Sequence, residues 1–548
     1  MANSLFKGRS CESGLMGRFR RQRSLRALGL VALLTALLVG SGLVGPSSSH
    51  ARNAEPAPAA PVILSAADVA AYSAAFSAVR RGEFQVADMM LEHVENPCLT
   101  GYVAMERVLS PVFLATSADL KAWMGAYPDL AGGDRVAALI AGASKAGEVS
   151  QEPPLSLAAR TAYSKGRFEE AERLALREND GWTLGLLAFR RSAFADAFKA
   201  FSDLANALPK ATAPRAAAAF WAARSAERSG RPGDEQAYLK AAAQAPFSFY
   251  GQLALRRLGD DNALNLESDQ LSLSEPAHAA PSLSSSTRPR DRTSGNGAPS
   301  LAATDIWLHQ DLRAQRTAAL LQLGQIGHAS DEIRHAMAIE ADPALREKWQ
   351  ALAKLLPQET LPEDLPDGAR FRPENYPTPE LNPEGGFTVD KALVYAIVKR
   401  ESRFNPKARG GAAFGLMQLT AETAAAITGD RAYRRKPKAL QSGGLNLKLG
   451  QIYLAKLLAL NHGDLIQTLA AYNVGPRIVG ETRTALASTD SLLILESLPG
   501  AGVRDFVRHV AADTWIYSRL FGASPNSLDT VAKGMDGWTT AALSAPAH

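Results

Sequence analysis

The residues with the most chemical promise in this 548-residue chain lie in one stretch, Val398 to Leu419, VKRESRFNPKARGGAAFGLMQL. Glu401 stands at the end of an apolar helical pattern, and a glycine-rich turn follows it. Asp390 is a good N-cap for that helix, because its carboxylate accepts the first free N–H groups. At 100° per residue, Val394, Ile397, Val398 and Glu401 fall within about 100° of one another, while Lys391, Lys399 and Arg400 fall outside the arc. Glu401 therefore projects from the apolar stripe close to the helix C-terminus. Desolvation and the negative end of the helix dipole both disfavour its anion, so its pKa is expected to rise. A carboxyl that keeps its proton near neutral pH is a general acid. The same spacing fits a glutamate at a frayed helix end that reaches solvent or pairs with Arg403. The helix alone does not decide between the two.

Three blocks taken together are more specific. AIVKRESRFNPKA, GLMQLTAETA and, at Ala470–Pro476, AAYNVGP resemble, in order and spacing, the soluble lytic transglycosylases of the goose-type lysozyme superfamily. YPTP at Tyr376 and FSFYGQLALRRLG at Phe247–Gly259 resemble phrases of that family's large periplasmic members, which carry an α-superhelical array before the catalytic domain. The resemblance puts Glu401 in the place of the catalytic acid and Ser402 in that of the serine beside it. Gly415, Leu416, Met417 and Gln418 match the turn that lines the glycan groove. Tyr472 and Asn473 match the pair that faces the acid, and Glu496 and Pro499 match the start of the last motif. The segment before the turn, ARGGAAFG, lacks the usual serine, and Thr420 and Ala421 stand where methionine and proline are common. Gly500, Gly502, Val503 and Phe506 replace most of the last motif, while Arg504 and Val507 fit it.

Most glycoside hydrolases use two carboxylates, and no second acidic residue lies near Glu401 in the sequence. The resemblance implies a one-acid route instead. Glu401 protonates the glycosidic oxygen between N-acetylmuramic acid and N-acetylglucosamine, then takes the proton of the muramic acid 6-hydroxyl. The product is a 1,6-anhydro end, and no metal or cofactor is required. The rival readings are a muramidase that uses water and a noncatalytic cell-wall-binding scaffold.

The elements that must position these residues read as all-α: an N-terminal α-superhelical solenoid, its closure into a ring left open, followed by a lysozyme-like α-helical catalytic domain. From 65 to 259 helix follows helix, and look-alike turns recur: RRGEFQVA at Arg80, SKGRFEEA at Ser164 and RRSAFADA at Arg190. Phe84, Phe168 and Phe194 hold matching places, the last two 26 residues apart. Such hairpins bury their apolar faces only by stacking, which is the logic of a solenoid. Residues 260–304 lack the apolar content to offset chain entropy and are expected to be a disordered insert. Helical periodicity returns over 305–356, a helical linker domain. A proline-rich boundary then precedes the transglycosylase-like domain at 376–528, and 529–548 form a C-terminal tail.

Residues 1–51 have a basic head with five arginines between Arg18 and Arg26, an apolar core and a Ser49-His50-Ala51 cleavage pattern. They read as a secretory signal peptide, followed by a Pro/Ala-rich disordered lead at 52–64. Export places the mature chain in the periplasm, with no stable membrane span after cleavage. The leader alone is +6 against +5 for the whole chain, which leaves the remainder at about −1. A global argument for nucleic-acid binding disappears with it. Residues 376–530 stay basic, with 18 Lys/Arg against 13 Asp/Glu, which suits an anionic polymer. Cys11 leaves with the leader, and Cys98 alone supports neither a disulfide, a zinc site nor a nucleophile. The expected partners are peptidoglycan glycan strands and, through the solenoid, periplasmic proteins.

Overall fold

The computed structural model describes residues 61–141, 151–260, 301–356 and 371–533. The expected leader, the lead up to residue 60, the insert from 261 to 300 and the tail from 534 onward lie outside the described residues. The all-α class holds: the described residues are helical except for turns and one sheet of three two-residue strands. A helix starts at Leu301, inside the stretch to 304 that composition assigned to disorder. The apolar set of that helix extends upstream through Leu301, Ala302 and Ala303, which a composition window dominated by serine and proline hid.

The look-alike turns are alike in backbone. After the helices ending at Arg80, Ser164 and Arg190, the residue in left-handed conformation is Gly82, Gly166 and Ser192, with φ of 76°, 72° and 61°. In each, the next N–H reaches the carbonyl five residues back: Glu83 to Ala78, Arg167 to Ala162, Ala193 to Ala188. This six-to-one bond ends a helix by satisfying a carbonyl its last turn leaves free, and glycine takes the left-handed position without a Cβ clash. Gly230 with Arg231, and Gly324 with Gln325, repeat it at two turns the sequence pattern did not expose. The hairpins pack in series, Gly181–Arg190 on Phe194–Ala207, then Ala213–Arg228, Pro232–Ala243 and Phe249–Leu258.

The apolar cores cut across chain order. One core joins Leu64–Val136 to Trp307–Leu356. A second runs from Ala162–Ala254 straight into Leu381–Ala532. Phe249 stacks on Trp515 with ring centroids 5.4 Å apart, and Trp221 Nε1 donates to Tyr250 Oη at 3.0 Å. A third, small core of Phe414, Leu419, Ala424, Leu440 and Leu449 supports the sheet. The strands β1 (Arg409–Gly410), β2 (Ala413–Phe414) and β3 (Leu419–Thr420) are antiparallel in the order β1-β2-β3. Among the described residues, no helix is long and apolar enough to cross a membrane.

Candidate active site

The helix Lys391–Ser402 carries Glu401. Asp390 caps it by accepting from Ala392 N at 2.8 Å. Every residue from Ala392 to Val398 is buried, because the helix is enclosed on more faces than the stripe predicted; its main neighbour is the helix Ala501–Leu520. The Tyr376–Pro379 segment is tied to both helices: Tyr395 Oη donates to Pro379 O at 2.7 Å, and Tyr517 Oη to Pro377 O at 2.9 Å. Thr378 N in turn donates to Arg80 O at 2.8 Å, which fastens the first helix of the array to this segment. Lys399 Nζ donates to Asp513 at 2.7 Å and lies 4.4 Å from the centre of the Tyr376 ring.

The chain turns sharply just past Glu401. Arg403 and Phe404 both have positive φ, 51° and 62°. Two consecutive non-glycine residues there cost about 1–2 kcal/mol each, held by the surrounding packing. The returning chain forms the hairpin and then the turn Gly415–Gln418. Asn446, fully buried, clamps that turn: its Oδ1 accepts from Met417 N at 2.8 Å, and its Nδ2 donates to Phe414 O at 2.9 Å and Leu440 O at 2.8 Å. Gly415, with φ of 79°, admits no side chain, since a Cβ would lie 2.3 Å from Leu440 O and 2.4 Å from Asn446 Nδ2. A Cβ on Gly450 would sit 2.2 Å from Met417 Sδ, so the turn rests directly on the helix Gly443–Leu460.

Tyr472 joins turn and acid. Its Oη donates to Met417 O at 2.7 Å. Its ring is parallel to Phe506 with centroids 6.4 Å apart, and Tyr453 lies 5.5 Å away on a tilt. Burial, then the neighbouring Glu401 carboxylate, push the Tyr472 phenol well above its ordinary range. Burial raises the Glu401 carboxyl from 4.5 to about 7, against a smaller opposing pull from the Arg400 guanidinium. Glu401 is nonetheless half-buried, with an edge accessible to solvent. The site thus presents an acid charged with a proton near neutrality, beside a phenol whose proton is already committed to a backbone carbonyl.

The other expected residues divide. Ser402 is buried and donates back to Val398 O at 3.0 Å, so its hydroxyl closes the helix end. The side chains of Leu416 and Met417 are buried; they shape the turn from beneath, and Met417 contributes its carbonyl. Gln418 folds back, its Nε2 donating to Gly415 O at 2.8 Å. Asn473 is exposed. Glu496, expected to bind substrate, lies instead in the protein interior with no exposure: it pairs with Arg508 at 2.5 Å and accepts from Tyr250 Oη at 2.5 Å. It is a strut between Phe249–Leu258 and Ala501–Leu520, because its two partners are contributed by distant elements that a local motif does not reveal. Asn446, Gly450 and Tyr453 were missed by the sequence reading. An asparagine inside the apolar run LNLKLG was the available signal for the first.

Among the described residues, Glu106, His328 and Glu374 bring one potential ligand atom each within 4.8 Å. Guanidinium groups already occupy this cluster. Arg80 grips both oxygens of Glu106, at 3.0 and 2.8 Å, and Arg135 pairs with Glu374. The cluster knits Thr100–Leu109, Ile326–Ile339 and Pro373–Asn375 together.

Residues 381–491 match the family model described as the Transglycosylase SLT domain. The soluble lytic murein transglycosylase of Escherichia coli (strain K12) is 29% identical over 160 residues, 27% of this chain and 24% of the relative. The chain therefore spans about a quarter of the length of the curated relatives it matches. Among solved structures, an inactive variant of the lytic transglycosylase Slt from Pseudomonas aeruginosa aligns with 82% of this chain and 72% of its own, at 19% identity and a TM-score of 0.38. The 70 kDa soluble lytic transglycosylase from Escherichia coli aligns with 84% and 73%, at 16% identity and a TM-score of 0.37.

Proposed function

With residues 381–491 a transglycosylase SLT domain, we propose that the chain is a peptidoglycan lytic transglycosylase. It cleaves the β-1,4 bond between N-acetylmuramic acid and N-acetylglucosamine and leaves a 1,6-anhydro-N-acetylmuramic acid end. The observation that carries the reading is the Glu401 carboxyl, lifted to about 7 by burial beside Tyr472 and the Gly415–Gln418 turn. Protonated Glu401 delivers its proton to the glycosidic oxygen as the bond to the muramic acid anomeric carbon breaks. The substrate's acetamido oxygen bonds to that carbon and spreads the positive charge. Glu401, now anionic, removes the proton of the 6-hydroxyl, whose oxygen displaces the acetamido oxygen. The proton returns to the carboxyl, no water is consumed, and the acid is ready for another cycle. A pKa near 7 suits both halves, since neither form is scarce at neutral pH. Tyr472, held between Phe506 and Tyr453, is the positioning residue beside the acid, and the backbone of the Gly415–Gln418 turn is the wall of the glycan groove.

The same proposal places the chain in the periplasm, exported by residues 1–51, with the stacked hairpins as a solenoid that brings the domain to glycan strands and offers a surface to protein partners. The test is Glu401→Gln on purified peptidoglycan. It keeps size and hydrogen bonding but carries no transferable proton. Turnover is expected to fall by about 10⁴-fold or more, because two proton transfers depend on one group, while binding to the strands persists. Retention of more than a few per cent of the parent rate would overturn the assignment.

A further inference from the structure

The excess charge of residues 376–530 is concentrated in one place. Residues 403–438 hold eight Lys/Arg and two Asp/Glu, a net of +6, so the rest of that region is slightly acidic. The fold gathers this charge on the small lobe built around Phe414, Leu419 and Leu440. Arg431, Arg434, Arg435, Lys436 and Lys438 follow one another over Ala432–Arg435 and the turn after it, and all are exposed. Lys407 and Arg409, on the hairpin side, are exposed too. Gln441 Nε2 donates to Lys407 O at 3.0 Å, which brings that side against the turn. Among the described residues none of these seven cations is in an ion pair. Of the two acids, Asp430 is engaged in capping Ala432 N at 2.8 Å.

Elsewhere many exposed cations are matched locally, Arg81 with Glu83, Lys199 with Asp203 and Arg477 with Glu481, and those unmatched among the described residues, such as Lys165, Lys210 and Arg483, stand far apart along the chain rather than in a cluster. A lobe that leaves seven cations unmatched sustains a positive potential, which concentrates an anionic partner and speeds its encounter. The lobe adjoins the candidate site. Its β2–β3 connection is the Gly415–Gln418 turn, and Met417 O accepts the Tyr472 hydroxyl. Nucleic acid fits poorly, since the aromatics of 403–438 are Phe404 and Phe414, both buried, and half-buried Tyr433, which leaves no exposed stacking platform. A lipid surface fits poorly too, because no large apolar side chain of the lobe is exposed to insert.

We propose that this lobe docks the carboxylate-bearing peptide stems that hang from the lactyl groups of peptidoglycan strands. The proposal rests on the reading of peptidoglycan as the substrate. Each stem brings several carboxylates, whereas a muramic acid without its stem keeps only its lactyl carboxylate, so cations beside the groove favour stem-bearing glycan over naked glycan and hold it in salt-dependent fashion.

The experiment uses the full chain with Glu401→Gln, so that binding is read without turnover. To it are added Arg431→Gln, Arg434→Gln, Arg435→Gln, Lys436→Gln and Lys438→Gln, with circular dichroism to verify folding. Sedimentation with purified peptidoglycan, with strands stripped of stems by an amidase, and with anionic phospholipid vesicles gives the affinities at low and high salt. The five added substitutions are expected to weaken binding to stem-bearing strands by about tenfold or more at low salt. They are expected to weaken binding to stripped strands, which keep one lactyl carboxylate per muramic acid, distinctly less, and high salt should erase the difference. Equal binding to stem-bearing strands with and without the five substitutions would overturn the proposal, as would an equal loss on both kinds of strand, or tighter parental binding to vesicles than to stem-bearing strands. A parallel turnover assay with Glu401 intact separates the two readings: no cleavage of either strand sinks the proposed function, while stem-dependent binding stands or falls by sedimentation alone.

Discussion

Replacing Glu401 by glutamine changes stability in a way that reports how the carboxyl is buried. The group's ordinary pKa of 4.5 becomes about 7 in the folded chain. Between those values the folded protein holds a proton that the unfolded chain has released. The stability tied to this group is therefore complete below pH 4.5, falls as pH rises toward 7 and stays lost above it. At 1.36 kcal/mol per pKa unit the loss is about 3 kcal/mol at most, the energy of ionising a carboxyl in that environment. Glutamine has no such transition. Urea unfolding of parent and Glu401→Gln, compared from about pH 4 to about pH 8, isolates the effect, because every other titrating group is common to both. The amide adds a constant offset, so the information is in the slope. The variant is expected to gain on the parent by up to about 3 kcal/mol across that range, with most of the gain accrued before about pH 7. A flat difference would show that Glu401 ionises like a solvated carboxylate and would refute the argument from burial.

The pH dependence of kcat/KM should show an alkaline limb near the Glu401 value of about 7, since only the protonated form starts the reaction; a limb governed by a group near 4.5 would count against it. Gly415→Ala should cost more than about 2 kcal/mol and most of the activity, through the clash with Leu440 O and Asn446 Nδ2. Gly411→Ala, at φ of 60° with open space around it, should cost only about 1–2 kcal/mol in thermal unfolding. Glu496→Ala should lower stability by about 2–4 kcal/mol, because it removes the nearest partner of the buried Arg508, which keeps Asp505 at 3.3 Å and Glu152 at 3.9 Å, and leaves the Tyr250 hydroxyl without its acceptor; a loss of substrate affinity with stability unchanged would return Glu496 to the groove.

What the sequence disclosed and what it hid follow one physical division. Features set by near neighbours were legible. The Asp390 cap, the helix it starts, the look-alike turns at Phe84, Phe168 and Phe194, and the exposure of Glu401 to desolvation all depend on residues a few positions apart. Features set by distant partners were not. Glu496 looks like a groove residue until Tyr250, 246 positions away, and Arg508 close around it. Ser402 and Gln418 depart from this division: each is spent on a carbonyl three or four positions back, a local bond that residue type alone does not announce. Asn446 gave almost no signal, since two of its three bonds reach Phe414 and Met417, 32 and 29 positions away. The split of residues 65–259 between two cores was invisible for the same reason: helical periodicity reports that a face is buried, not which element buries it.

In the proposed mechanism one carboxyl handles both proton transfers, and the sugar's own 6-hydroxyl makes the new bond. The most direct measurement is mass spectrometry of the fragments released from purified peptidoglycan in water enriched in heavy oxygen. Ring closure by the 6-hydroxyl takes no oxygen from solvent, so the account predicts muramic acid ends lighter than the reducing sugar by one water and free of the label. Labelled, reducing muramic acid ends would mean that water attacks the anomeric carbon, and would contradict it.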